Sequence, residues 1–160
     1  MTTSDARPQL KGASSAYVTF SLADETYAID VLQVQEVLKL TEIAPVPGVP
    51  DYILGIINLR GSVVTVIDAR RRMCLPERAP DDASRIVIID VDKQNVGILV
   101  DAVAEVVQIP PDAIDPAPAV GNDQTSRFIL GVSSTEEGLT ILIDLNKLLS
   151  DDDWAAIRDV

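Results

Sequence analysis

Histidine is absent from this chain of 160 residues, and cysteine occurs once, at Cys74. Without histidine there is no Ser-His-Asp or Cys-His nucleophile, no phosphohistidine relay and no zinc site of the Cys/His type. A lone cysteine forms no internal disulfide, and between Met73 and Leu75 it reads as a small buried hydrophobe. Aromatics make up only 4% of the residues and Trp154 is the single tryptophan, which disfavours a small-ligand cleft between two halves of a barrel protein. No apolar run approaches the roughly eighteen residues that span a bilayer, and MTTSDARPQLKGASS lacks the apolar stretch of a secretory signal. Gly55 and Gly61 lack the following helix that a phosphate-binding loop needs. Cations are scarce as well: 13 Lys and Arg face 25 Asp and Glu, for a net charge of −12. That balance argues against nucleic acid and anionic lipid, and favours a protein partner with basic patches. No catalytic constellation and no cofactor are implied; the expectation is a soluble, cytoplasmic protein.

What the chain does contain is enough apolar residue, 47%, for a core, arranged in a repeat. Residues 17–37, YVTFSLADETYAIDVLQVQEV, match residues 86–106, IVIIDVDKQNVGILVDAVAEV, at a constant offset of 69. Val18 meets Val87, Phe20 meets Ile89, Val34 meets Val103 and Glu36 meets Glu105. After a loop rich in proline and glycine the match resumes at offset 76, where Tyr52-Ile53-Leu54-Gly55 meets Phe128-Ile129-Leu130-Gly131 and Ile67-Asp68 meets Ile143-Asp144. Each copy predicts five short strands: 17–22, 26–30, 34–39, 53–58 and 62–67, then 85–91, 95–100, 103–109, 128–133 and 139–143. Five short strands escape exposed edges by closing into a small barrel. The expected organisation is a flexible arm over 1–16, a first barrel over 17–84, a second over 85–149, and a helix over 150–160. Asp68 and Asp144 are placed to cap short helices, and the tail helix, capped near Ser150 with its acids at the N-terminal end, presents Trp154 and Ile157 on one face toward a barrel. Asp151–Asp153 read as helix-capping acids rather than as a calcium site.

One turn breaks the repeat. Asn58-Leu59-Arg60-Gly61 stands where the second copy has Ser134-Thr135-Glu136-Glu137, so the fold itself does not demand arginine there. Two readings of Arg60 stay open: an internal ion pair, for instance with Asp30 or Asp68, or a recognition contact through its planar fork. Asn58 reads as an organiser of the turn through side-chain-to-backbone bonds. Arg70, Arg71 and Arg72, with Arg78 and Arg85, concentrate positive charge, read as a solvated helix face in preference to a docking patch.

Residues 17–149 resemble the CheW family of chemotaxis coupling proteins. The resemblance is carried by YVTFSLADETYAIDVLQVQEVL, PGVPDYILGIINLRGSVVTVIDAR, VGILVDAVAEVVQI and FILGVSSTEEGLTILIDLNKLL, in that order. It implies a mainly β fold of two pseudo-repeated five-stranded barrels of the Src-homology type, side by side, with short helices. It further implies a non-enzymatic adaptor joining the cytoplasmic hairpin tip of chemoreceptors to the regulatory domain of the histidine kinase CheA, with further CheW copies entering rings. Such proteins also serve non-flagellar systems such as pilus motility. By the same resemblance Val31, Val34, Glu36, Asn58 and Arg60 fall in a receptor-binding groove between the barrels, with Gly55 and Gly61 shaping it. Val96 and Val103, on strand edges of the second barrel, fall on the kinase side. The segment IPPDAIDPAPAVGNDQTS departs from the family pattern.

Overall fold

Alternating apolar residues, broken by two-residue turns, produce ten strands in the computed structural model, which describes residues 16–91, 93–116, 128–135 and 138–144. They are β1 (Ala16–Leu22), β2 (Glu25–Asp30), β3 (Val34–Lys39), β4 (Ile53–Leu59), β5 (Ser62–Asp68), β6 (Arg85–Val91), β7 (Gln94–Val100), β8 (Ala102–Gln108), β9 (Ile129–Thr135) and β10 (Gly138–Ile143). A four-residue helix, α1 (Ala69–Arg72), follows β5. The fold is mainly β, with two five-stranded sheets ordered β8-β1-β2-β10-β9 and β3-β6-β7-β5-β4. The expected helices after Asp144 and over 150–160, with Trp154 and Ile157, lie outside the described residues.

The strand order corrects the expected division at residue 84. Neither half of the chain makes a barrel alone: the first two strands of each half join the last three strands of the other. The switch happens between the second and third strand. There a 3-10 turn over Val31–Gln33, capped by the Asp30 side chain accepting from the Leu32 N–H, diverts the chain instead of folding it back. At the equivalent place Asp101 alone separates β7 from β8. A repeat offset reports which strands are equivalent; it carries no information about which strands pair.

Equivalence is nonetheless close. Phe20 pairs with Val103 and Val18 with Val106, around a bulge; Ile89 pairs with Val34 and Val87 with Val37, around the same bulge. β10 runs parallel to β2, as β5 does to β7. Beyond β3, Ala44 bridges Ile56 on β4, and beyond β8, Asp115 bridges Val132 on β9. Since these strands are the opposite edges of their sheets, each bridge closes its sheet on itself and leaves less edge for aggregation. Closure explains the two matched glycines. A Cβ at Gly55 would sit 2.1 Å from the Ala44 carbonyl oxygen, and one at Gly131 would sit 2.6 Å from that of Asp115.

Strand alternation divides the interior into three parts. Val87, Ile89 and Val91 on β6 and Val96, Ile98 and Val100 on β7 meet Val18, Phe20 and Leu22 of β1 in one core shared by both sheets. The opposite faces of β6 and β5 give Ile86, Ile88, Val64 and Val66 to the interior of the second sheet. Tyr17, Ala28, Ile109 and Leu142 fill the first. Burying apolar surface stabilises a fold in proportion to the area removed from water, so the shared core joins the two sheets energetically.

The arginines after β5 are not a solvated face, as the sequence implied. Arg70 is buried; it donates to both oxygens of Asp101 at 2.9 and 2.7 Å and to the Pro76 carbonyl at 2.7 Å. Asp101 also accepts from the Ala23 N–H at 2.8 Å, which ties the β1–β2 turn of one sheet to α1 beside the other. Arg71 donates to the Asp51 carbonyl and pairs with Glu77 and Asp68. The Arg72 guanidinium lies 5.0 Å from the Tyr52 ring centre and 4.6 Å from that of Phe128, two aromatics that are repeat equivalents. Arg85 donates to the Asp82 and Ser84 carbonyls of its own loop. Asp68 caps α1 as expected, accepting from the Arg70 N–H at 3.0 Å. Cys74 is exposed, contrary to the reading from its neighbours. The helix ends at Met73, which takes the buried position, and the chain turns outward through a positive φ of 62° at Cys74.

Burial raises the carboxyl pKa of Asp101, but hydrogen bonds from Arg70 and the Ala23 N–H, with the charges of Arg70 and Arg78, outweigh it and hold the group below the ordinary aspartate range. A depressed carboxyl pKa stabilises the fold above the unfolded value of about 4 and loses that contribution as pH falls through the folded value. Asp101→Asn therefore costs roughly 2 kcal/mol near neutrality, between the values for exposed and buried pairs, and the gap to the parent narrows in urea melts repeated at falling pH. Gly55→Ala costs about 3 kcal/mol or more by the same assay, because its Cβ meets main chain. Gly48→Ala, at φ +80° with open space around it, costs about 1 kcal/mol.

Candidate functional site

The break in the repeat lies on the turn between β4 and β5. Leu59 pairs with Ser62, so the loop is two residues, Arg60 and Gly61, and not the four of NLRG. Both have positive φ, 52° and 87°, the mirror-image turn that matches the twist of a hairpin. Gly61 adopts this freely, whereas Arg60 does so at a steric cost. Asn58 compensates: its Oδ1 accepts from the Gly61 N–H at 2.9 Å and fixes the turn, as its residue type led us to expect.

Arg60 projects into solvent with 70% of its side chain exposed, and its guanidinium makes a two-pronged contact with the carboxylate of Glu36. Its partner is thus neither Asp30, which caps the 3-10 turn, nor Asp68, which caps α1. The hydrogen bond from Arg60 and its charge hold the Glu36 carboxyl below the ordinary range, and the pair carries its charges at the surface throughout the physiological pH range. Glu36 reaches Arg60 because of the β3 bulge. Val34 pairs with Ile89 on the shared-core face, but Glu36 pairs with Ile88, whose side chain belongs to the other face. In an unbroken strand residues two apart would share one face.

Val31 and Val34 are half-buried and pack on the shared core. The turn holding Val31 touches β1 of one sheet and β6 of the other, so it lies over the junction between them. The structure therefore brings Arg60 to Glu36, Asn58 to the turn, and Val31 with Val34 to the junction, with the two groups meeting along β3. Gly55 serves barrel closure and Gly61 the turn. Val96 cannot contact a partner: β7 is flanked by β6 and β5, and its side chain is fully buried in the shared core. Val103, on the edge strand β8, is half-buried opposite Phe20.

Three exposed apolar residues near this corner escaped the sequence reading: Leu32 at 61%, Val37 at 40% and Val63 at 61% exposure. Leu32 was legible as an exception to the repeat, because its equivalent is Asp101, so that an apolar residue replaces an acid at a turn. Among the described residues no group of three or more His, Cys, Asp or Glu could hold a metal, and no helix is long and apolar enough to cross a membrane.

Comparison with known proteins agrees with this architecture. The family model of the CheW-like domain matches residues 16–153. A chemotaxis protein CheW of Klebsiella aerogenes is 31% identical over 144 residues, 90% of this chain and 87% of that one. A chemotaxis protein CheW of Bacillus subtilis is 38% identical over 132 residues, 82% of this chain and 85% of that one. In three dimensions the crystal structure of the scaffolding protein TtCheW from Thermoanaerobacter tengcongensis superposes with a TM-score of 0.80 at 38% identity, covering 86% of this chain and 94% of that one.

Proposed function

The chain belongs to the CheW-like family, and from that premise we propose that it is a non-enzymatic adaptor coupling the cytoplasmic tips of chemoreceptors to the histidine kinase CheA. The observation that carries this reading is the exposed Arg60–Glu36 pair, held out by a strained turn beside the half-buried Val31 and Val34 and the exposed Leu32. Such a corner suits the amphipathic helix of a receptor hairpin: apolar anchors enter between Leu32 and Val34, and polar groups of the helix meet Arg60 and Glu36 at the rim. An arginine and a carboxylate that neutralise each other in the free protein can exchange partners on binding, so charge selects the register of the helix.

The kinase side falls on the other sheet, along the β8 edge, where Val103 is half-buried and Val106 is 57% exposed. Two contact regions on one rigid body need no chemistry to couple: a partner's preference for one arrangement of the assembly shifts the equilibrium of the whole. The protein works in the cytoplasm, recruited to receptor arrays by these contacts, and the same contacts admit further copies into rings.

Arg60→Glu lowers affinity for a receptor hairpin fragment by about tenfold or more, with an unchanged urea midpoint, in calorimetric titrations. The double variant Glu36→Arg/Arg60→Glu re-forms the pair in reverse and leaves binding weak. Unaltered affinity in Arg60→Glu, or full recovery in the double variant, would assign the pair a purely internal role and contradict the proposal.

A further inference from the structure

The repeat supplies an internal control for the mouths of the two barrels. In the first, Ile109, the residue after β8, is 3% exposed and packs with Tyr17, Ala28 and Leu142, which plugs the end. Its equivalent after β3 is Leu40, which is 39% exposed. Between the chain after β3 and the segment following α1 the second barrel opens a cavity of 660 Å³, with Leu40, Ile43, Leu54 and Leu99 on its apolar wall. That volume is in the range of small-molecule pockets.

Its rim carries Asp68, Arg71, Glu77 and Arg78. Asp68 is engaged by the Arg70 N–H and by Arg71, while Arg71 and Glu77 engage each other. Arg78 is held differently. Its nearest carboxylates are Asp81 at 3.4 Å and Asp101 at 3.8 Å, and Asp101 is already bound by both prongs of Arg70. Arg78, one of the residues lining the pocket, therefore keeps guanidinium donors to spare.

We propose that this mouth is a binding site for a small amphipathic carboxylate, its aliphatic body lying against Leu40, Ile43, Leu54 and Leu99 and its carboxylate held by Arg78. The site contains none of the residues of the Arg60 corner, so the two are separable.

The test titrates octanoate into the labelled full chain and follows backbone amides by NMR, with 1-octanol and acetate as controls. Saturable shifts centred on Leu40, Leu54 and Leu99 are expected, at least tenfold weaker for octanol and for Arg78→Gln, absent for acetate and for the pocket-filling Leu40→Trp, and unchanged in Arg60→Glu. No saturable response to octanoate, equal response to octanol, an unaffected Arg78→Gln, or shifts centred elsewhere would each overturn the site. Shifts of these amides on adding a receptor or kinase fragment, with none for octanoate, would make the mouth a protein-docking surface and overturn the proposal too.

Discussion

The structure depends on one shared apolar core. Val18, Phe20 and Leu22 of β1 meet the alternate residues of β6 and β7 across the junction, and strands from both halves of the chain build each sheet. Small barrels bury a modest share of their surface and are marginal alone, and here neither barrel can even assemble from one half. The candidate site inherits this constraint. Glu36 on β3 and Arg60 beyond β4 stand on opposite edges of one sheet, and what brings those edges round to meet is β6 and β7, inserted from the other half.

The candidate sites lie where the two-fold equivalence fails. At one crossover Asp101 is sealed by Arg70 and the Ala23 N–H; at the other Leu32 stands in solvent. The β4–β5 turn holds an arginine in a left-handed conformation where its counterpart in the sequence has acids. One mouth is plugged by Ile109 and the other, at Leu40, is open. The scaffold tolerates such divergence because neighbouring residues keep the local structure: Asp30 caps the turn at Leu32, and Asn58 fixes the turn at Arg60.

The sequence disclosed the strands, the repeat and the odd turn, because all three are local: period-two alternation, a constant offset and a charge replacing its opposite. It did not disclose the exchange of strands, since pairing is decided by a three-residue turn and a shared core that no offset records. Val96 illustrates the consequence. Read as a strand edge, it lies in a central strand, as only the true sheet order reveals. Arg70 and Cys74 misled for a related reason: local composition gives polarity, whereas the direction of a four-residue helix and a positive φ decided which side chain faced inward. Glu36 was legible as a site residue from the family motif, but its pairing with Arg60 required the bulge at Gln35, which pattern alone does not show.

The interleaved core is tested most directly by dividing the chain in the linker near residue 80 and following each half, and their mixture, by amide NMR and urea unfolding. Each half alone is expected to lack dispersed resonances and a cooperative transition, and the mixture to recover both, together with receptor-fragment binding. A half that folds cooperatively by itself would contradict the exchanged architecture from which the Arg60–Glu36 corner follows.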